Sequence, residues 1–551
     1  MNDLTGMHGF GHAAGSTPLD ATVEIGRVID VSGSGSRITL DGPILNMLSD
    51  SEDPAISTAG NIGNHVKVSV GRRWLVAIVR TMKLAEADGD LILADVDFIG
   101  EGLADNEGRL IHFRRGVTRY PVPGARIYPI DSADLKQMFS PDSRAHVEIG
   151  TIYPTSDVRA ALYIDQFLGK HFALLGSTGT GKSTSTALIL HKICEHAPNG
   201  HIVMIDPHGE YSEAFKTTGA IFDVSNLAMP YWLMNFEEHC EVLVTGAGDQ
   251  RQQDCDILAK CLLAARAKSR IAEGLGKLTV DSPIPYLLTD LCNIIQAEMG
   301  KLEKAGTSAP YIRLKTKIDE IRADPRYPFM FSGAMVGDSM AGFISKIFRL
   351  PGDGKPISII DVSGVPSDIV SVVVAMLSRM VFDYAIWARA EEQNPVLLVC
   401  EEAHRYVPSD RVATGAAVRG VLERIAKEGR KYGVSLGLIT QRPSDLAEGV
   451  LSQCGTIISM RLNNDRDQAF VKSAMPEGAR GFLDSIPALR NREAIICGEG
   501  VAIPIRVSFD DLAADKRPAS QDPVFSELWK TEGGETEMLD RVIHRWRTQG
   551  R

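Results

Sequence analysis

The stretch Gly176-Ser177-Thr178-Gly179-Thr180-Gly181-Lys182-Ser183 constrains this chain more than any other. It follows the apolar run His171-Phe172-Ala173-Leu174-Leu175 and opens into residues 184–193, which read as a helix. A strand, the spacing G-x-x-x-x-G-K-S and a helix together make a P-loop, not a bare pattern match. Glycines let backbone N–H groups curl round a triphosphate, and the helix N-terminus adds positive partial charge there. Gly176, Ser177, Thr178, Gly179, Thr180, Gly181, Lys182, Ser183 and Thr184 are therefore the expected nucleotide contacts. In that cradle Lys182 reaches the β- and γ-phosphates, and the Ser183 hydroxyl ligates Mg2+.

The rest of the chain divides around this element. Residues 1–18 are rich in Gly and His, with no apolar core to make a signal peptide, and read as a flexible terminus. From 19 to 150, short alternating runs separated by turn residues suggest a small closed β-barrel, with strands at 21–31, 37–40, 66–70, 73–82, 91–99 and 109–114. From 151 the pattern becomes apolar strands alternating with helices, as in a parallel sheet. It is interrupted at 237–330 by a largely helical insertion and resumes over 331–510. Residues 511–551 read as a polar linker and an amphipathic helix around 538–546. The expected class is thus α/β: a RecA-like P-loop core in two parts, 151–236 and 331–510, with an N-terminal barrel and an inserted helical subdomain.

A P-loop hydrolase needs acidic residues at the end of a second buried strand. Val396-Leu397-Leu398-Val399-Cys400-Glu401-Glu402 supplies them. Glu401 would hold Mg2+ through water, being one methylene longer than the usual Asp, and Glu402 would polarise the attacking water. Asp206-Pro207-His208-Gly209-Glu210-Tyr211 leaves the strand after the P-loop helix, on the ligand side of a parallel sheet. One of Asp206, His208 and Glu210 is expected to assist water or metal. At a further strand exit, Gln441 stands where a γ-phosphate sensor would. Arg430, close to a helix C-terminus, is the candidate arginine finger towards a neighbouring subunit, with Arg424 in reserve.

Composition narrows the setting. The 551 residues carry a formal charge of −11 and no long basic run, which argues against broad nonspecific coating of nucleic acid. All eight cysteines lie after residue 190 without a C-x-x-C pair, as expected of a reduced, cytoplasmic protein. His191, Cys194 and His196 share a helix but lack further ligands, so packing explains them better than a metal. The most membrane-like stretch, 369–388, contains Arg379 and Asp383 and reads as a helix buried in protein. Gly433-Val434-Ser435-Leu436-Gly437 leads into a strand instead of following one, which excludes a nucleophile elbow. Glu401-Glu402-Ala403-His404 is helicase-like, yet no second RecA-like lobe follows.

With Glu401-Glu402-Ala403-His404-Arg405-Tyr406-Val407-Pro408 and Glu428-Gly429-Arg430-Lys431-Tyr432-Gly433 following the P-loop and the 206–211 motif in order, the chain resembles the HerA branch of the HerA/FtsK DNA-pumping ATPases from about residue 20 to 510. The resemblance implies a homo-hexameric ring with an N-terminal HAS barrel, hydrolysing ATP with Mg2+ to move double-stranded DNA through its pore. It implies Lys182 as phosphate lysine, Glu402 as catalytic carboxylate, Gln441 as sensor and Arg430 as trans finger, with Lys170 near an adjacent subunit's nucleotide. It also implies a C-terminal segment bracing the next subunit. A partner effector, a nuclease or a sirtuin-like enzyme, would dock on the barrel face, and bacterial pairs of that kind look like antiphage defence systems. The 405–419 segment, with Arg411 inside it, is the candidate pore contact. The alternative is a nucleotide-switched ring scaffold that licenses its partner with little processive movement.

Overall fold

The computed structural model describes residues 22–85, 88–301, 308–332, 337–391, 393–410, 415–475, 480–519, 523–530, 533–534 and 536–548. The terminal segment 1–18 and Arg411 lie outside them.

Seven antiparallel strands build the N-terminal domain: β1 (Gly26–Val31), β2 (Gly35–Asp41), β3 (His65–Val70), β4 (Arg73–Ala85), β5 (Asp88–Ala104), β6 (Leu110–Arg115) and β7 (Arg126–Pro129). The order is β2-β1-β7-β3-β4-β5-β6, and a further β2–β5 pairing closes the first six into a barrel. Period-two alternation sends Val28, Ile38, Leu40, Val66, Val68, Leu75, Ala77, Val79, Val96 and Ile127 into its interior.

The second sheet has eleven strands. They are β8 (His146–Ile152), β9 (Arg159–Tyr163), β10 (Phe172–Leu175), β11 (Ile202–Asp206), β12 (Gly219–Phe222), β13 (Ile357–Asp361), β14 (Val396–Cys400), β15 (Val434–Thr440), β16 (Thr456–Met460), β17 (Glu493–Gly498) and β18 (Ile505–Phe509). Their order is β12-β13-β11-β14-β15-β10-β16-β17-β18-β8-β9. The first seven are parallel, and the last four join antiparallel. Strands β10, β11, β14, β15 and β16 are buried along their whole length, as continuous apolar runs require. Because β8 starts at His146 and already belongs to this sheet, the motor begins a few residues before position 151.

Between β12 and β13 runs the helical insertion, including Phe236–Leu243, Asp249–Ala267, Leu288–Gly300 and Ala309–Ala323. It extends past residue 330 to the helix Met340–Phe348. Arg266, fully buried, ties it to the sheet side by donating to the carbonyls of Trp232 and Met234, at 3.2 and 2.8 Å. Helix Val370–Trp387 passes a length and hydropathy test for a membrane span, yet most of its apolar window is buried in the core. Its Arg379 is paired with Glu238 at 2.8 Å and Asp383 at 3.0 Å, which satisfies the charge inside protein.

The barrel docks on the motor through the outer face of β4. A Cβ on Gly481 would approach Ile78 Cγ2 to 2.6 Å, so only glycine allows this contact. Beside it, His65 lies between the rings of Phe139 and Phe482, at centroid distances of 5.8 and 5.9 Å. Burial pushes the His65 pKa down to about 4. In the unfolded chain it titrates near 6.5, so between those values the unfolded state binds more protons and stability rises with pH. Over that window the linkage amounts to about 3 kcal/mol. Buried His239, with its pKa pushed down to about 3, adds a second contribution of the same sign. We therefore expect His65→Gln to reduce the loss of thermal stability between about pH 7 and about pH 5, read by melting temperature, relative to the unsubstituted protein.

Candidate functional site

Five neighbouring parallel strands, β11, β14, β15, β10 and β16, deliver their C-terminal ends to one crevice. From β10 the chain turns into the P-loop and then the helix Lys182–His196. Gly179 and Gly181 sit at φ +79° and +94°, which a side chain would strain. The loop is anchored from β16, where Ser177 N–H donates to the Arg461 carbonyl at 3.0 Å and Asn463 N–H to Ser177 Oγ at 3.1 Å. A second support comes from Arg492, whose N–H donates to the Thr180 carbonyl at 2.9 Å. No local sequence signal marks Arg461 or Arg492, because strand order alone brings them to the loop.

Lys182 is buried between the two carboxylates that leave β14. Its Nζ lies 2.9 Å from Glu401 and 3.6 Å from Glu402. Burial by itself would lower the lysine pKa, but the two facing carboxylates outweigh it and raise it. Glu401 goes the other way: complete burial raises its pKa against the pull of Lys182. Its second oxygen accepts from the Tyr211 hydroxyl at 3.0 Å. Burial also pushes on Glu402, yet hydrogen bonding to His404 and the Lys182 charge bring its carboxyl below the usual range, so it stands ionised. Glu402 has φ +51° and ψ +46°, a left-handed conformation costing a non-glycine residue about 1–3 kcal/mol. His404 Nδ1 lies 3.1 Å from the Glu402 carboxylate and 2.9 Å from Thr440 Oγ1, tying the carboxylate to the end of β15.

The next residue of that exit, Gln441, accepts a hydrogen bond from the Thr178 hydroxyl of the P-loop. Asp206, at the end of β11, accepts from the N–H groups of His208, Gly209 and Tyr211 at 3.1, 2.9 and 2.9 Å. Its carboxylate therefore shapes the turn, and Glu210 is the member of the turn that reaches the P-loop. The Ser183 hydroxyl donates to Glu210 at 3.0 Å. The donor set of Ser183 and carboxylates suits a hard cation such as Mg2+. Among the described residues no group of three or more His, Cys, Asp or Glu could hold a metal by itself. Mg2+ needs none where a phosphate chain supplies further oxygens.

Arg430 lies elsewhere. It belongs to the turn Gly429–Tyr432, which enters β15 at the sheet edge opposite the P-loop. Seven residues of β15, about 23 Å of strand, separate that turn from Gln441. Its side chain is exposed, without an ion-pair partner among the described residues. Lys170, paired with Glu499, is on the same edge just before β10. Arg424 is engaged within its own fold, 3.7 Å from Glu428 and over the Phe382 ring at 4.9 Å. In the proposed pore segment Arg419 donates to the Pro408 carbonyl at 2.7 Å and to Glu423 at 2.8 Å, while Arg405 is exposed. His191 stacks on Phe215 at 4.2 Å and Cys194 is buried, as packing residues are.

Residues 147–381 match the family model described as the central domain of helicase HerA. Over that stretch the chain is similar to the HerA helicases. It is 26% identical over 475 residues to the DNA double-strand break repair helicase HerA of Pyrococcus furiosus, covering 79% of this chain and 82% of that one. To the protein of the same name from Sulfolobus acidocaldarius it is 25% identical over 430 residues, covering 77% and 80%. Among solved structures it is similar in fold to VirB4 of Thermoanaerobacter pseudethanolicus, with a TM-score of 0.50 and 13% identity over 68% of this chain and 98% of that one. The chain thus carries its P-loop and both glutamates on the fold class read from its sequence.

Proposed function

We propose that this HerA-like ATPase is a hexameric motor that hydrolyses ATP with Mg2+ and moves double-stranded DNA through a central pore. The observation that carries the hydrolytic part is Glu402. It is an ionised carboxylate in a strained backbone conformation, next to the P-loop lysine and linked through His404 to the strand bearing Gln441. Strain retained at one carboxylate of a buried pair fits a residue held for chemistry.

In this reading Lys182 leaves Glu401 and Glu402 to meet the β- and γ-phosphates as nucleotide enters. Glu402 then orients the attacking water and takes its proton. Ser183, and Glu401 through water, would hold Mg2+, which would supply neutralisation of the phosphate charge. Gln441, on Thr178, carries the state of the γ-phosphate to the loop after β15. Arg430 is too far along β15 to serve its own P-loop, so it completes the pocket of the next subunit. The DNA assignment is supported by the helicase names of relatives matched over four-fifths of their length. In this reading a partner effector, a nuclease or sirtuin-like enzyme, docks on the barrel face, in a cytoplasmic setting of DNA processing or antiphage defence.

Phosphate release with and without duplex DNA tests the proposal. Turnover stimulated by duplex and lost in Lys182→Ala supports it. Turnover indifferent to duplex, in the presence and absence of a partner, rejects the DNA assignment.

A further inference from the structure

We infer that Glu210 is a positioning residue for the metal-binding hydroxyl of Ser183. The inference rests on the nucleotide-binding reading given above and assigns a task to a side chain outside the P-loop.

The turn after β11 is fixed at every residue around Glu210. The Asp206 carboxylate holds the N–H groups of His208, Gly209 and Tyr211. Gly209 takes φ +71°, and a Cβ there would come within 2.9 Å of Asp361, so the turn has one shape. On the far side, Ala519 N–H donates to the Glu210 carbonyl at 3.0 Å. The segment leading to Ala519 is itself fastened to the P-loop helix by Lys516 on Glu195, at 2.9 Å. With its backbone clamped, Glu210 extends its carboxylate to Ser183 Oγ at 3.0 Å, and the adjacent Tyr211 hydroxyl reaches Glu401 at the same distance. One turn therefore grips both side chains expected on the metal, across 27 and 190 residues of sequence.

A serine hydroxyl can ligate a cation only with a lone pair, so its proton must point elsewhere. The Glu210 carboxylate accepts that proton's hydrogen bond. This fixes the rotor, turns the lone pairs towards the phosphate side and makes the oxygen a stronger donor, the usual role of a ligand's own hydrogen-bond partner. The same carboxylate contributes to the raised Lys182 pKa.

Titration of Mn2+ into the protein–ADP complex, followed by the electron paramagnetic resonance of free Mn2+, tests this. Glu210→Gln keeps the shape and removes the charge, and we expect Mn2+ affinity to fall about 10-fold or more. ADP affinity in EDTA and the melting temperature should stay unchanged. In a Ser183→Ala background the same substitution should add little, because Glu210 acts through that hydroxyl. Unchanged Mn2+ affinity in Glu210→Gln, or an undiminished loss in the Ser183→Ala background, overturns the inference. Failure of the unsubstituted protein to bind ADP at all would instead overturn the nucleotide-binding reading.

Discussion

Glu402→Gln should bind ATP as the unsubstituted protein does and hydrolyse it about 100- to 10,000-fold more slowly. The substitution is isosteric and removes the proton acceptor. Lys182 keeps Glu401 at 2.9 Å, so the buried lysine retains its main partner and the fold stands. The His404 hydrogen bond and the lysine charge hold Glu402 ionised at neutral pH, the state a general base requires. Fluorescent-nucleotide binding and phosphate release, measured together, separate the two effects. A parallel loss of nucleotide affinity would make Glu402 a binding residue instead.

The second large effect is at Arg430. In arginine-finger ATPases such a residue is worth about 1,000-fold or more in turnover. Arg430→Ala should show a loss of that order, with nucleotide affinity less affected. Because Arg430 is on the edge of the sheet opposite its own P-loop, the deficit should be complemented in trans. Mixing Arg430→Ala with Lys182→Ala creates junctions in which an intact pocket faces an intact finger, and activity should reappear from two inactive proteins. No recovery on mixing, with assembly confirmed by mass, would place Arg430 outside the catalytic pocket.

The strands buried on both faces were legible as apolar runs, and β10, β11 and β14 lie where the sequence puts them. The turn chemistry around them was legible too, since a P-loop and an acidic strand end are local patterns. What strand order decides was not. The sequence suggests a closed barrel without revealing the β2–β5 pairing that closes it. Short β7, ending in Pro129, carries too few residues to show a period. The four-stranded antiparallel extension draws β8 and β9 from before the P-loop and β17 and β18 from the far end, which moves the motor's start to His146.

The site shows the same division. Local motifs gave Lys182, Ser183, Glu401, Glu402 and Gln441 as candidates, and the structure brings all five to one crevice. The 206–211 motif left its working side chain open among Asp206, His208 and Glu210. Hydrogen bonding distinguishes them, because Asp206 is occupied by its own turn while Glu210 faces Ser183. Tyr211 on Glu401 was not foreseen, since a tyrosine after a turn has no pattern that points to a carboxylate 190 residues away.

Displacement of a third strand from a triplex is the most direct test of a motor that advances along a duplex. With ATP the protein should strip the third strand from triplex DNA extended by a duplex tract, and Glu402→Gln should leave it bound. Hydrolysis that proceeds while the third strand stays in place would contradict translocation.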